Sequence, residues 1–436
     1  LKRPKRVFMI SLILTVSFIG LMMLRVPVTY AIGLSVLISI SFMGKDLVAL
    51  PQYMIQGVTS VPLLAVPFFI FAGNLFDSMG LSRRIWDFAQ HLVGHWRGGL
   101  GHVLTVAEMI LSGISGSALA DEAALGIIAI PAMEKLGYRR RFAAALTLSV
   151  AVLGPIIPPS INMIIYGVIA EVSIARLFIG GIIPGIVIGG CIMGLIYFFA
   201  VKGIEPCPIQ PRKSISEIGR SFYRNSLTLI APFIIIIGMA VGVATPTEVG
   251  LLASLYALFL GLVYREASMK GLVDSLKSSV KSTSLIMYII AVSTVAGWIY
   301  TYEGTSQKIA ELILSTTTNK YLVLFFINVF LLIMGCLLEP IPAMILTTPI
   351  FLPVVKQLGV DPVHFGLIIC YNLTIGIITP PMGIGLYVMM GVVDIKFEEL
   401  VKACLPFLIP IIASLFLITF VPELTLFLPN LIMGKP

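Results

Sequence analysis

Charge is what this sequence has least of. Only 11% of its 436 residues are Asp, Glu, Lys or Arg, against about 25% in soluble domains. A chain so poor in charge does not read as a water-soluble enzyme or a disordered tail. The five cysteines, at 191, 207, 336, 370 and 404, form no CxxC pair, so neither a zinc ribbon nor a dithiol redox motif is expected. The four histidines include "HLVGH" (91–95), whose i, i+4 spacing suits a metal. It lacks the Glu of HExxH, and with Trp86 and Trp96 alongside it reads better as an interfacial amphipathic helix. There is no GxxxxGK[ST] loop, which excludes ATP hydrolysis by that route. No Ser/His/Asp constellation or metal triad stands out, so the chain is not expected to be an enzyme. The net charge of +8 lies mostly in short loops between apolar runs, where the positive-inside rule explains it and nucleic acid is not needed.

What the sequence has instead is hydrophobic length. Residues of apolar type make up 58% of the chain, and uncharged runs of about 18 residues read as transmembrane helices. Continuous spans are expected near 7–24, 27–43, 62–79, 177–201, 226–244, 248–264, 284–302 and 405–428. Amphipathic surface stretches fall near 80–100, 205–224, 265–281 and 305–318. The opening "LKRPKR" and its apolar run show no small-residue cleavage site, and the start at Leu fits a trimmed chain or the second part of a longer one. The long polar connection at 202–224 is the natural boundary between two halves.

Two regions, 102–136 and 321–356, are apolar but carry small or polar residues in the middle, "SGISGSALADE" (112–122) and "MGCLLEPIPAM" (334–344). At 1.5 Å per residue, half of either region is too short to cross a core of about 30 Å with room for a turn. Each is therefore expected to be a re-entrant helical hairpin. After each comes an interrupted span: 141–171, broken at "GPIIPPS", and 363–393, broken at "GIITPPM". Proline lacks the amide donor and clashes with the preceding turn, so neither span forms one straight helix.

The two units align at a constant offset of 222 residues. Gly113 matches Gly335, Pro131 matches Pro353, Gly154 matches Gly376, and Pro158–Pro159 match Pro380–Pro381. Glycine and proline dictate backbone shape, so the matches concern architecture. Five crossings between the hairpins put them on opposite faces, which makes the repeats inverted, as in many secondary transporters. Lys135 and Arg139–Arg141 close the first hairpin, whereas only Lys356, offset by Asp361, closes the second. The first hairpin then opens to the cytoplasm and the second to the outside. The same count puts "KRPKR" outside, against the rule, so an early span is miscounted or another helix precedes it.

Irregular backbone at membrane depth persists only inside protein or beside a watery cavity. A broken helix offers free carbonyls to cations and free amides, with the positive end of a helix dipole, to anions. The tips add Ser112, Ser115, Ser117, Asp121 and Glu339; Ser160, Asn162, Thr374 and Thr379 flank the breaks. Hard oxygen ligands suit Na⁺ rather than a transition metal. Asp121 and Glu339 have two readings, direct contact with ion or substrate or a helix-capping role at the tip. Glu108 and Glu171 are weaker candidates.

The runs "SGSALADEAALGIIAIPAMEKLGYRRRFAAAL" into "GPIIPPSINMIIYG", and "LEPIPAMILTTPIFLPVVKQLGVDPVHFG" into "GIITPPMGIGLYV", resemble the large membrane subunit of tripartite ATP-independent periplasmic (TRAP) transporters over essentially the whole chain. The resemblance implies an all-α polytopic protein of the bacterial inner membrane with an elevator-type ion-transporter-like fold. Its partners would be a small four-helix membrane subunit and a periplasmic substrate-binding protein. Cargo would be an organic acid such as a C4-dicarboxylate or sialic acid, coupled to Na⁺. Carried over by position, one Na⁺ site involves Ser115, Gly116, Ser117, Gly154, Pro155, Pro158 and Ser160. The other involves Gly335, Cys336, Glu339, Thr374, Gly376, Thr379 and Met382. Substrate would lie near Asp121, Pro159, Ser160, Asn162, Glu339 and Pro381. The implied division is scaffold at 1–100, transport repeat one at 101–176, scaffold at 177–320, transport repeat two at 321–404 and a C-terminal helix at 405–436. A stand-alone Na⁺/dicarboxylate symporter of the same architecture is the alternative, separated by whether uptake depends on a binding protein. A channel would conduct without saturation.

Overall fold

The computed structural model describes residues 7–44 and 47–435; the "KRPKR" cluster expected on the outer side lies outside the described residues. The chain begins with α1 (Val7–Met23), α2 (Val28–Met43) and a short α3 (Ala49–Val58) that no periodicity announced, then α4 (Ala65–Ser78) and the amphipathic α5 (Leu81–Val93). The first hairpin is α6 (Leu100–Ser115) and α7 (Ala118–Lys135). The first broken helix is α8 (Arg140–Ala151) and α9 (Ile161–Ala170), followed by α10 (Ile174–Lys202). The second half repeats the order: α11 (Ile215–Ala240), α12 (Pro246–Val263), α13 (Met269–Tyr302), α14 (Thr305–Thr316), hairpin arms α15 (Lys320–Leu337) and α16 (Pro340–Gln357), and half-helices α17 (Pro362–Ile375) and α18 (Ile384–Val392). It ends with α19 (Phe397–Phe420) and α20 (Glu423–Met433).

Both hairpins and both breaks form where glycine and proline required them. The all-α polytopic fold with two inverted repeats is the one expected. The repeat also reaches further than the 222-residue alignment, since Gly80 before α5 and Gly304 before α14 both take the left-handed conformation, with φ of 66° and 67°. Helix α15 is by itself long and apolar enough to span, but its chain reverses at Leu338–Glu339 and returns as α16.

Three expectations about boundaries are corrected. The surface stretches at 205–224 and 265–281 do not stand apart from the spans that follow. Residues 215–224 open the unbroken α11, and 269–281 open the 34-residue α13. Each start is set by a hydroxyl cap, Ser214 accepting the Glu217 amide and Ser268 accepting the Gly271 amide; past the cap both helices run on, α11 continuing even through Pro232, which removes one amide from its ladder. The single span expected over 405–428 is two helices. Pro422 cannot donate to α19, so the chain turns there and α20 folds back onto α10.

The scaffold joins the repeats crosswise, α12 packing on α4 and α2 on α13. The two hairpin-plus-break units interlock in the same way, α9 against α16 and α17, and α7 against α18. Tyr166, Phe178, Phe365, Tyr371 and Phe407 are fully buried among these helices. Helices α8, α9 and α17 are thus largely enclosed in protein, as an irregular backbone at membrane depth requires, whereas Met382 at the second break and Tyr387 of α18 are exposed.

Candidate functional site

The first tip turns at Gly116 in the left-handed conformation (φ 62°), and a Cβ there would lie 2.5 Å from the Pro159 carbonyl oxygen. Glycine is required both for the turn and for this approach to the break. Ser160 is fully buried and already engaged: its Oγ donates to the Pro155 carbonyl (2.7 Å) and accepts the Met163 amide (3.3 Å), capping α9. Asp121, on the first turn of α7, lies behind the tip rather than at its surface. Its Oδ2 is 2.8 Å from where a Gly154 Cβ would stand and has no hydrogen-bond partner among the described residues. Glu108 on α6 accepts from Ser112 through Oε1 (2.9 Å), and its Oε2 also lacks a partner.

The second tip makes its contact through backbone. Gly335 and Gly376 touch so closely that a Cβ on Gly376 would overlap the Gly335 carbonyl. Glu339 takes the N-cap position of α16, ahead of Pro340, without bonding a helix amide. Thr374 and Thr379 donate their hydroxyls back to the Cys370 and Ile375 carbonyls, both at 2.7 Å. Between tip and break lies a crevice of about 10 Å³ lined by Gly335, Cys336, Leu338, Glu339, Ile377 and Met382 among others, room for about one water-sized species. Both breaks contain a cis peptide, at Pro158–Pro159 and Pro380–Pro381.

A cavity of about 580 Å³ lies between these units and the scaffold. Of the residues singled out in the sequence, it brings together Ser115, Gly116, Ser117, Pro155, Asn162 and Glu339. Asp121, Gly154, Pro158, Pro159, Ser160, Gly335, Cys336, Thr374, Gly376, Thr379, Pro381 and Met382 do not line it. The first residues of four helices, Ala118 of α7, Ile161 of α9, Pro340 of α16 and Ile384 of α18, all do. Among the described residues, no Lys or Arg lines it. Four positive dipole ends on one chamber favour an anion without any basic side chain.

Sequence reasoning missed the scaffold wall: Gly73, Asn74 and Asp77 from α4, and Ser278 and Ser282 from α13. The i, i+4 serines of α13 were the available signal. Asn74 donates to Ser279 (2.8 Å), and Asp77 accepts from Ser82. The reading also missed Glu122, fully buried beside Gly385 with both carboxyl oxygens unpartnered. The cavity extends toward Ile127 of α7 and Ser278 of α13. That is the end of the molecule where Lys135, Arg139–Arg141 and Lys270 gather.

The model of the tripartite ATP-independent periplasmic transporter DctM component matches residues 15–424. The chain belongs to that family. This permease is 39% identical over 422 residues to the sialic acid TRAP transporter large permease SiaM of Vibrio cholerae, covering 96% of this chain and 98% of that one. It is 37% identical over 380 residues to the 2,3-diketo-L-gulonate large permease YiaN of Escherichia coli (87% and 89% covered). It is 35% identical over 402 residues to the C4-dicarboxylate large permease DctM of Pseudomonas aeruginosa (92% and 94% covered). Among solved structures, its fold matches the YdaH transporter of Alcanivorax borkumensis, with a TM-score of 0.63 at 12% identity over 85% of this chain and 87% of that one. MtrF of Neisseria gonorrhoeae matches with a TM-score of 0.58 at 14% identity, covering 86% and 84%. The permease is a transporter subunit and not an enzyme, and it is a multi-pass protein of the inner membrane.

Proposed function

We propose that this permease carries an organic acid, a C4-dicarboxylate, a sialic acid or a related carboxylate, across the inner membrane by a Na⁺-coupled elevator movement. The substrate is delivered by a periplasmic binding protein, and a small four-helix membrane subunit sits alongside. The observation that carries the substrate class is the convergence of four helix N-termini on a chamber without a basic side chain. Such a chamber takes up a carboxylate through amides, hydroxyls and nearby cations.

The tip–break contacts suit those cations. At the first, the orphaned Asp121 carboxylate oxygen beside Gly154 fits a hard monovalent ion held with Ser115, Gly116, Ser117, Pro155, Pro158 and Ser160 nearby. At the second, the small crevice at Gly335, Cys336, Glu339 and Met382 fits one ion among carbonyls, beside Thr374, Gly376 and Thr379. Bound Na⁺ would offset the negative charge of Asp77 and Glu339 and so make the chamber receptive to an anion.

The matched glycines of the scaffold support the movement. Gly73 of α4 presses on the first tip, a Cβ there lying 3.3 Å from the Ser115 Cα. Its counterpart Gly297 of α13, which lies 224 residues on as Gly304 does from Gly80, instead opposes Ile345 and Pro349 of α16, well past the second tip, at 3.9 and 4.0 Å. Ile345 and Pro349 match Ala123 and Ile127 at the 222-residue offset, and both line the chamber. Exchanging the two arrangements would slide the first hairpin along α4 until Ala123 and Ile127 meet Gly73, a shift of roughly 10 Å at 1.5 Å per residue. The present arrangement is then the inward-open one.

The test is uptake into proteoliposomes of permease, small subunit and binding protein. Uptake of a carboxylate should require an inward Na⁺ gradient and the binding protein. Equal uptake with the gradient collapsed would remove Na⁺ coupling, and equal uptake without the binding protein would remove its role.

A further inference from the structure

The outer end of the molecule contains a bed for α20. Arg176 of α10 donates to Asn430 Oδ1 (2.5 Å) and the Gly434 carbonyl (2.7 Å). Gly180 lies against the Thr425 carbonyl and Pro429, and His364 of α17 bonds Thr425 (2.7 Å). Pro184 follows in the same helix. At the 222-residue offset these positions match Glu398, Lys402, Phe142 and Pro406. All four line one cavity of about 560 Å³ at the opposite end, between the start of α8, the end of α10 and the start of α19. The repeat thus builds the bed twice. One copy is filled by the chain's own α20, and the other is left as a cavity.

The second bed is chemically different. Where α20 needs a glycine to lie close, the inner bed has Lys402, and where Arg176 holds the helix end, it has Glu398. A lysine at the point of closest approach does not suit a close-packed apolar helix, and a carboxylate at the other point cannot donate to a helix end as Arg176 does. The wall beneath is apolar, with Phe142, Phe199 and Phe407 clustered in tilted and edge-to-face contacts at centroid distances of 5.7 to 6.1 Å. The rim is charged in both signs. Arg139 is held by Glu205, whose carboxylate accepts its amide (2.7 Å). Arg141, Lys396 and Lys402 stand with Glu398 and Glu399 in the same rim, outside every side-chain ion pair found among the described residues. Beside the cavity, Phe198 and Val201 of α10 and Leu405 and Ile409 of α19 are exposed toward the lipid. An apolar slot opening to lipid below a rim of both charges matches a phospholipid with a phosphate and a primary ammonium.

We propose that this cavity binds one inner-leaflet phospholipid of the phosphatidylethanolamine class, phosphate on Arg141 and Lys402, ammonium on Glu398 and Glu399, acyl chain along Phe142 and Phe199. The assignment to the inner leaflet rests on the charge-based sidedness; the site itself does not depend on the transport reading.

Native mass spectrometry of the purified transporter complex, offered phosphatidylethanolamine, phosphatidylcholine and phosphatidylglycerol in turn, tests it. Phosphatidylethanolamine should be retained in preference to both others. The double variant R141A/K402A should retain it roughly tenfold less, the order expected for two lost cations, and E398Q/E399Q should erase the preference over phosphatidylcholine. Ala403→Trp, which fills the slot without altering charge, should displace the lipid as well. Equal retention of the three lipids, a preference for phosphatidylglycerol, or unchanged retention in R141A/K402A and Ala403→Trp would overturn the site.

Discussion

The first hairpin meets its broken helix through the Gly116–Pro159 backbone and a carboxylate, and the second meets its own through bare backbone. Asp121 stands against Gly154 with an unpartnered oxygen, whereas Gly376, the register match of Gly154, lies against Gly335 with no space for a side chain between them; the match of Asp121 is Ala343. The repeats therefore share geometry without sharing chemistry. Glycine and proline preserve the shape of tip and break, and the side chains around that shape are free to diverge. The first contact holds an ionisable carboxyl and can respond strongly to a cation. The second is held by close packing and carbonyl dipoles, so its tolerance for substitution is the smaller.

The sharpest way to break this comparison is to add one carbon to each contact. Gly376→Ala should abolish uptake, a loss of at least about 100-fold, because backbone atoms on both sides cannot move aside. Gly154→Ala should lose less, since its closest contact, Asp121 Oδ2 at 2.8 Å, is a side chain that can rotate, while the Ala118 amide and the Ala151 carbonyl stand at 3.1 and 3.3 Å. Uptake assays with size-exclusion profiles as a folding control would measure both, and equal losses would show that the contacts do not differ in kind.

A second test removes charge. Asp121→Asn should raise the Na⁺ concentration for half-maximal uptake by roughly tenfold, a modest share of the interaction between charges about 4 Å apart. Glu339→Gln, at an N-cap position on a tip that closes through backbone, should shift it only a few-fold. Reversal of that order would place the charged cation contact on the second hairpin.

The scaffold glycines offer a subtler probe. Gly73→Leu should unseat the first tip and lower labelling of Ser282→Cys by an impermeant thiol reagent added from the cytoplasmic side, in a background without the five native cysteines. Gly297→Ala, whose Cβ would make only ordinary contact at 3.9 and 4.0 Å in the present arrangement, should raise it. A few-fold change in opposite directions is expected, and changes in the same direction would contradict the exchange of states between repeats. Least affected should be Asn74→Ala, which removes one hydrogen bond inside the scaffold at a cost of about 1 kcal/mol in stability. Its thermal midpoint should drop slightly while the Na⁺ dependence of uptake stays unchanged.

Much of this was legible in the chain itself. Pro158–Pro159 and Pro380–Pro381 break helices wherever they fall, and Gly113–Gly335 and Gly154–Gly376 hold the repeat in register, because both residue types act on their own backbone. Helix continuity was less legible. Residues 265–281 look like a surface helix by their lysines, yet α13 runs through them, because a polar face at a cavity and a polar face at a membrane surface have the same periodicity. The site was legible by region rather than by atom. Ser160 has the right chemistry for a ligand, but its hydroxyl bonds Pro155 and caps α9.

By itself, then, the sequence determined composition class, the two hairpins, the two breaks and their inverted relation, since length, hydropathy and the backbone limits of glycine and proline are local properties. Only the tertiary structure decided that four helix N-termini share one chamber, that α4 and α13 supply its other wall, and that α20 fills one of two equivalent beds. Those outcomes depend on which faces meet across more than a hundred residues of chain. The residues on each side carry no local mark of the partner they will find.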